Sequence, residues 1–299
     1  MANHNPKLEG ILTAIITPVD KEDQFNEAAF REQIERQISA GNGIFCGGTN
    51  GEFFALTESE KRRVAEVAME QVAGRVSVVG HVGEVSTAEC VRAGRFIAGL
   101  GVDAIAAITP WFVPLSQDDL HYHFSTIADA LDVPVYLYNI PARTGNTIAP
   151  ETARRLAAHP NIAGIKDSAG TYESLTGFIN VAREIDGFAV FNGPDSLIHQ
   201  GFVDGCAGAV SGLANAAPRE INNIWKLFKA GDIEGSRKQQ ETVTSLRETL
   251  YKVCFAPAAV KRAVRLLGYD VGDSKYPVRI SAAQEAQMRE ILAAHGITK

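Results

Sequence analysis

Ile11-Leu12-Thr13-Ala14-Ile15-Ile16-Thr17-Pro18-Val19-Asp20 is an apolar run of strand length that ends in Thr-Pro rather than in glycines. A doubly wound open sheet that binds a nucleotide usually carries G-x-G-x-x-G directly after its first strand, where a helix N-terminus meets the phosphates. Thr17-Pro18-Val19-Asp20 cannot cradle a phosphate in that way. The point is decisive because the rest of the chain alternates strand and helix, and a closed barrel is the competing architecture for such a chain.

Working outward, further β-rich apolar runs lie at 43–48, 76–82, 103–109, 133–139, 162–167, 188–192 and 208–211. With 11–16 they make eight, each of ordinary strand length. Amphipathic segments separate them. Residues 28–40 place Phe30, Ile34 and Ile38 on one stripe, and 58–72 does the same with Val64, Val67, Ala68 and Val72. Thr57-Glu58-Ser59-Glu60, Ser86-Thr87-Ala88-Glu89 and Ser116-Gln117-Asp118-Asp119 each offer an N-cap oxygen followed by acids in the first turn. Near-continuous apolar strands between helices imply a parallel sheet covered on its faces. Eight such units in about 230 residues match a closed barrel. After Ala230-Gly231 the pattern changes, and 232–253, 257–267 and 281–295 read as helices with no further strand. The expectation is an α/β fold: a (β/α)8 TIM barrel over 1–230 and a C-terminal helical domain over 231–299, hinged near Gly231.

The chain has 299 residues, 45% hydrophobic and 21% charged, with a net charge of −6 and no clustering of Lys and Arg. That composition suits a globular protein with a sizeable core, and it argues against nucleic acid or an anionic membrane as partner. Met1-Ala2-Asn3-His4-Asn5-Pro6-Lys7 lacks the apolar core of a signal peptide, and no stretch is long enough to span a bilayer. Cys46, Cys90, Cys206 and Cys254 show no CxxC spacing and read as reduced thiols of a cytoplasmic protein.

Barrel enzymes place their chemistry at the C-terminal ends of the strands. Those ends carry Thr49-Asn50-Gly51-Glu52, Thr109-Pro110-Trp111-Phe112, Tyr138-Asn139 and Lys166. A lysine ending an apolar strand can simply run out to water. Held in a desolvated mouth instead, an amine loses its preference for the charged form and can attack a ketone to give a Schiff base. Alternation puts Tyr136 and Tyr138 on one face, with Tyr138 nearer the mouth and better placed to shuttle protons. The glycines of 47–52 let backbone approach a ligand closely, and the loop runs toward a helix N-terminus, which suits a carboxylate. His121 and His123 stand two apart on a helix and do not share a face, so they make a poor metal pair. His81, at the end of the third strand, reads as a satisfied polar residue rather than a base.

In these residues the chain resembles the dihydrodipicolinate synthase / N-acetylneuraminate lyase family of class I, pyruvate-handling barrel enzymes. The resemblance runs over essentially the whole length: Thr17-Pro18, G-T-N-G-E at 48–52, Y-N-I-P-A-R-T-G at 138–145 and G-I-K-D-S-A-G at 164–170. It implies that Lys166 is the Schiff-base lysine, that Tyr138 relays protons, and that the Thr49 hydroxyl links into that relay. It further implies that Asn50 helps hold the pyruvyl carboxylate, that Gly193 lies in the corresponding loop after strand seven, that the Val210 carbonyl faces the site, and that Arg143 binds a second carboxylate. The implied substrate is a small 2-oxo acid, with neither metal nor organic cofactor, in a homotetramer built as a dimer of dimers.

Phe112 falls where the synthase has a tyrosine lent across the dimer interface, so packing is kept and a hydroxyl is lost. Asn50 replaces the usual threonine, and T-N-G-E with K-D-S-x-G is similar to 4-hydroxy-2-oxoglutarate aldolases. The readings are therefore a synthase-like lyase or aldolase, a 4-hydroxy-2-oxoglutarate or 2-keto-3-deoxy sugar acid aldolase or dehydratase, and a silent barrel kept for binding or regulation.

Overall fold

The computed structural model describes residues 8–299; the segment 1–7, read above for a leader, lies outside them. Eight parallel strands close into a barrel in sequence order. They are β1 (Gly10–Ala14), β2 (Gly43–Cys46), β3 (Val78–His81), β4 (Ala104–Ile108), β5 (Val135–Asn139), β6 (Ile162–Asp167), β7 (Ala189–Asn192) and β8 (Gly208–Ser211). Every residue of β1, β4 and β5 is buried, as expected of strands covered on both faces. Helices alternate with the strands, and Ile233–Tyr251, Ala256–Leu266 and Ala282–Ala294 follow the last one. This is the (β/α)8 barrel with its C-terminal helical extension.

By packing density the chain forms two compact units. One joins residues 8–10 to 77–210; the other joins 11–76 to 211–299. In the second unit the chain turns at Gly231 (φ 80°), between helices Pro218–Lys229 and Ile233–Tyr251. Ser236 Oγ donates to the Ile224 carbonyl at 2.9 Å across that turn.

Of the three N-caps expected from the sequence, two form in full. Thr57 and Ser116 complete capping boxes with Glu60 and Asp119, whereas Ser86 makes no side-chain cap. The buried stripe of helix Glu27–Ala40 also differs from the apolar pattern. Phe30 and Ile34 are buried, but Gln33 and Gln37 share the face and Ile38 is only half-buried. Gln37 earns its place by bonding: it accepts from Thr13 Oγ1 (2.8 Å) and Asn42 Nδ2 (3.0 Å) and donates to the Ala214 carbonyl (3.1 Å). A buried amide is tolerated when its partners are supplied.

Between β5 and β6 the register slips once. Val135 pairs with Ile162, but Tyr136 pairs with Gly164, leaving Ala163 over. From there the ladder is regular: Leu137 to Ile165, Tyr138 to Lys166, Asn139 to Asp167.

Candidate active site

In the first unit, the pairing of β5 with β6 sets Tyr138 opposite Lys166. Tyr138 is 2% exposed and Lys166 5%, so the amine is enclosed by protein rather than directed into bulk water. Its Nζ lies 3.8 Å from the centroid of the Tyr138 ring, over the electron-rich face. Two positions below, Tyr136 packs edge-on to Phe191 and lies against Gly164. A Cβ on Gly164 would come within 2.6 Å of the Tyr136 ring and 2.1 Å of the Ala189 carbonyl, so only glycine fits between them. Burial pushes the Tyr136 phenol up to about 12, and its ring contacts with Phe191 and Gly164 give it a packing role.

His81 ends β3 with its ring 5.9 Å from that of Tyr138, edge to face. Its place at a strand end, within reach of the mouth, is legible in the sequence; its ring contact with Tyr138 is not. A Cβ on Gly83 would strike both His81 and Ile108, which explains the glycine there.

Asn139 and Asp167 form the next rung beyond Tyr138 and Lys166, and alternation turns them to the opposite face. Both are fully buried. Asn139 Nδ2 donates to Asp167 Oδ1 at 2.8 Å, and Asn139 Oδ1 accepts from the Ile148 amide at 3.0 Å. Burial raises the Asp167 carboxyl above its usual range, against the pull of the Asn139 bond.

Arg143 is exposed on the short helix Pro141–Thr144. Just beyond it, Asn146 is 4% exposed and uses its whole amide to hold the loop after β4. Its Oδ1 accepts from Leu115 N, and its Nδ2 donates to the carbonyls of Pro110 and Val113, each at 2.8 Å. That loop presents Phe112, 94% exposed and at φ 77°. Gly193 follows β7, its amide donating to the Asp167 carbonyl at 2.7 Å, and a Cβ there would strike Ser168. Val210 lies buried in β8.

The second unit holds Thr49 and Asn50, both half-buried, in the loop after β2. The Asn50 amide packs against Gly212, where a Cβ would come within 2.6 Å of Nδ2. Thr17 Oγ1 donates to the Gly51 carbonyl at 2.8 Å. The loop does not run straight into a helix N-terminus, as its glycines had suggested. A 3-10 turn at Phe53–Ala55 intervenes, and the next helix opens at Thr57, whose capping box with Glu60 engages the Thr57 and Glu60 amides. Glu52, at φ 57° and fully buried, anchors the loop instead. Its Oε1 pairs with Lys261 Nζ at 3.1 Å and its Oε2 accepts from Lys275 N at 2.8 Å. Neither partner was singled out from the sequence, because each lies more than 200 residues from Glu52.

A closed (β/α)8 barrel with a desolvated strand-end amine against a phenol is suited to class I carbonyl chemistry, in which a lysine holds the substrate as a Schiff base. The comparisons agree. Residues 7–295 match the model of the dihydrodipicolinate synthetase family, and the chain belongs to that family. Its members are class I lyases, and this chain is an enzyme of that kind acting on a small molecule. The chain is 35% identical to an uncharacterized DapA-like lyase of Halobacterium salinarum over 91% of its own length and 88% of the relative's. It is 36% identical to the 4-hydroxy-tetrahydrodipicolinate synthase of Exiguobacterium sibiricum, covering 96% and 98% of the two chains. Among solved structures it is similar to YagE, a prophage protein from E. coli K12 in complex with pyruvate. That TM-score is 0.92, at 27% identity over 97% of this chain and 99% of the other. No helix among the described residues is long and apolar enough to cross a membrane.

Proposed function

We propose that this enzyme forms a Schiff base between Lys166 and pyruvate, or a 2-oxo acid that yields pyruvate, in the manner of dihydrodipicolinate synthase. The observation that carries the reading is the burial of the Lys166 amine over the Tyr138 ring. The amine adds to the ketone carbon, giving a carbinolamine. Tyr138, with the Thr49 hydroxyl, passes protons to the departing oxygen, and loss of water leaves an imine. The cationic imine draws electrons from C3, so removal of a C3 proton or cleavage at C3 gives an enamine. Aldol addition, retro-aldol cleavage or β-elimination of water then depends on what lies beyond C3. The resemblance to the family further assigns Asn50, Gly193 and the Val210 carbonyl to the pyruvyl end and Arg143 to a distal carboxylate. The homotetramer and cytoplasmic location belong to the same reading; Phe112, almost wholly exposed, is the side chain that a neighbouring copy would cover.

A second reading, cleavage or dehydration of 4-hydroxy-2-oxoglutarate or a 2-keto-3-deoxy sugar acid, is favoured by Phe112, which brings no hydroxyl to a proton relay. Pyruvate with borohydride tests the chemistry common to both: mass spectrometry should find the reduced adduct on Lys166, and label elsewhere or nowhere refutes the assignment. Lys166→Ala should abolish turnover. Assays with pyruvate plus aspartate semialdehyde, with 4-hydroxy-2-oxoglutarate and with 2-oxo-3-deoxy sugar acids then separate the two readings.

A further inference from the structure

We propose that Asp167 and Asn139 are positioning residues for Lys166 and Tyr138, joined as a clasp on the far side of the two strands that carry the reacting groups. The inference rests on the reading of Lys166 as the Schiff-base lysine and adds two residues to it.

Tyr138 to Lys166 and Asn139 to Asp167 are consecutive rungs of one ladder. Beyond the second rung both chains leave the sheet, β5 into Pro141 and β6 into Ser168-Ala169-Gly170, so the reacting pair stands one rung from a free end. Strand ends open most easily where few bonds hold them. Here the last rung is held by side-chain and backbone bonds together, the carboxylate's bonds from Asn139 and Ala169 both falling on Asp167 Oδ1 while Oδ2 is buried without a partner. The Asn139 amide bridges to Asp167 Oδ1 at 2.8 Å and accepts from Ile148 N at 3.0 Å. Asp167 Oδ1 also accepts from Ala169 N at 3.2 Å. Along the backbone, Ser168 N donates to the Asn139 carbonyl at 2.8 Å and Gly193 N to the Asp167 carbonyl at 2.7 Å.

A buried carboxyl in the layer between strands and helices is costly, and an apolar residue would pack there more cheaply. What the pair supplies is directional: it ties β5 to β6, and through Ile148 and Ala169 it ties both following loops to the same point. Neither side chain reaches the inner face, so neither touches substrate. Their effect passes through the relative placement of the amine and the phenol, where displacements of about 1 Å can cost up to about 100-fold in rate.

The test is the rate at which pyruvate becomes trapped on Lys166 by borohydride, followed by mass spectrometry at saturating pyruvate in variants that still melt cooperatively. Asp167→Ala and Asn139→Ala should each slow trapping by about tenfold or more, with a much smaller change in the half-saturating pyruvate concentration. Asp167→Asn keeps the Oδ1 acceptor and should restore most of the rate. The exchange variant Asn139→Asp/Asp167→Asn, which reverses the bond, should outperform the alanine variants. A purely structural role would lower the melting midpoint and leave trapping in the folded protein unchanged, and that result overturns the proposal. Should Asp167→Ala fail to fold, Asn139→Ala decides the matter by the same criterion. Wild-type protein that forms no adduct on Lys166 overturns the catalytic assignment itself, and the clasp with it.

Discussion

Lys261 Nζ lies 3.1 Å from Glu52 Oε1, with each side chain only 1% exposed, and so ties helix Ala256–Leu266 to the loop that carries Thr49 and Asn50. Burial holds the Lys261 ammonium below its usual range, and the Glu52 charge opposes that fall. Removing one member of a buried pair strands the other charge, at a cost of about 3–5 kcal/mol, whereas removing both is far milder. Lys261→Met should therefore destabilise the protein by that amount in urea unfolding. Glu52→Gln/Lys261→Met should be more stable than the single variant; equal stability would show that the stranded carboxylate is not the cause.

His123 carries a pH signature. It is 3% exposed, its Nδ1 lies 2.8 Å from Thr87 Oγ1, and burial lowers it from 6.5 to about 4. The folded state thus prefers the neutral ring, while the unfolded chain takes up a proton below about pH 6.5. Its contribution is complete above 6.5 and is lost as the pH falls toward 4, reaching about 3 kcal/mol. Melting midpoints measured across that window should fall more steeply for wild type than for His123→Leu, and parallel curves would rule the effect out.

Gly164→Ala should be poorly tolerated. The added methyl meets the Ala189 carbonyl, which is backbone and cannot step aside, and the Tyr136 ring. Overpacking of this kind costs about 1–3 kcal/mol, often more against backbone. Because Lys166 lies two residues on, turnover should fall along with the melting midpoint; an unchanged enzyme would contradict the close approach.

At the loop after β4, stability is expected to depend on Asn146 and not on the ring it displays. Asn146→Ala removes three hydrogen bonds and should cost about 3 kcal/mol. Amide exchange at Leu115 should speed up with it. Phe112→Tyr changes a side chain that makes little contact within its own chain, where it is 94% exposed, and should shift the folding stability of the single chain by less than about 0.5 kcal/mol. Slow exchange at Leu115 in Asn146→Ala would overturn this account.

The barrel was readable because each strand is a local apolar run and each helix a local stripe. Seven of the eight strands fall within the expected segments and the first starts one residue early, at Gly10; several are shortened where the chain turns, as at Gly47 with φ 69°. Lys166 and Tyr138 could be ranked as strand-end residues by the same alternation. What escaped the sequence is whatever depends on distant partners. Gln37 is buried because Thr13, Asn42 and Ala214 meet it there, and no helical period announces that. Glu52 looked like the tail of a glycine-rich turn until Lys261 and Lys275 were placed beside it. His81 gains interest only once the Tyr138 ring is known to lie against it.

Ala163, the residue passed over between the Val135 and Tyr136 pairings, works as a slip joint in β6. Strand side chains flip with every one-residue shift, so an insertion or loss in the connection before β6 could turn the amine out of the barrel. Because the unpaired residue sits at the far end of the strand, the rungs from Gly164 onward stay in step. The one surplus residue of β6 is thus taken up at the end remote from the chemistry, and Lys166 keeps its place opposite Tyr138.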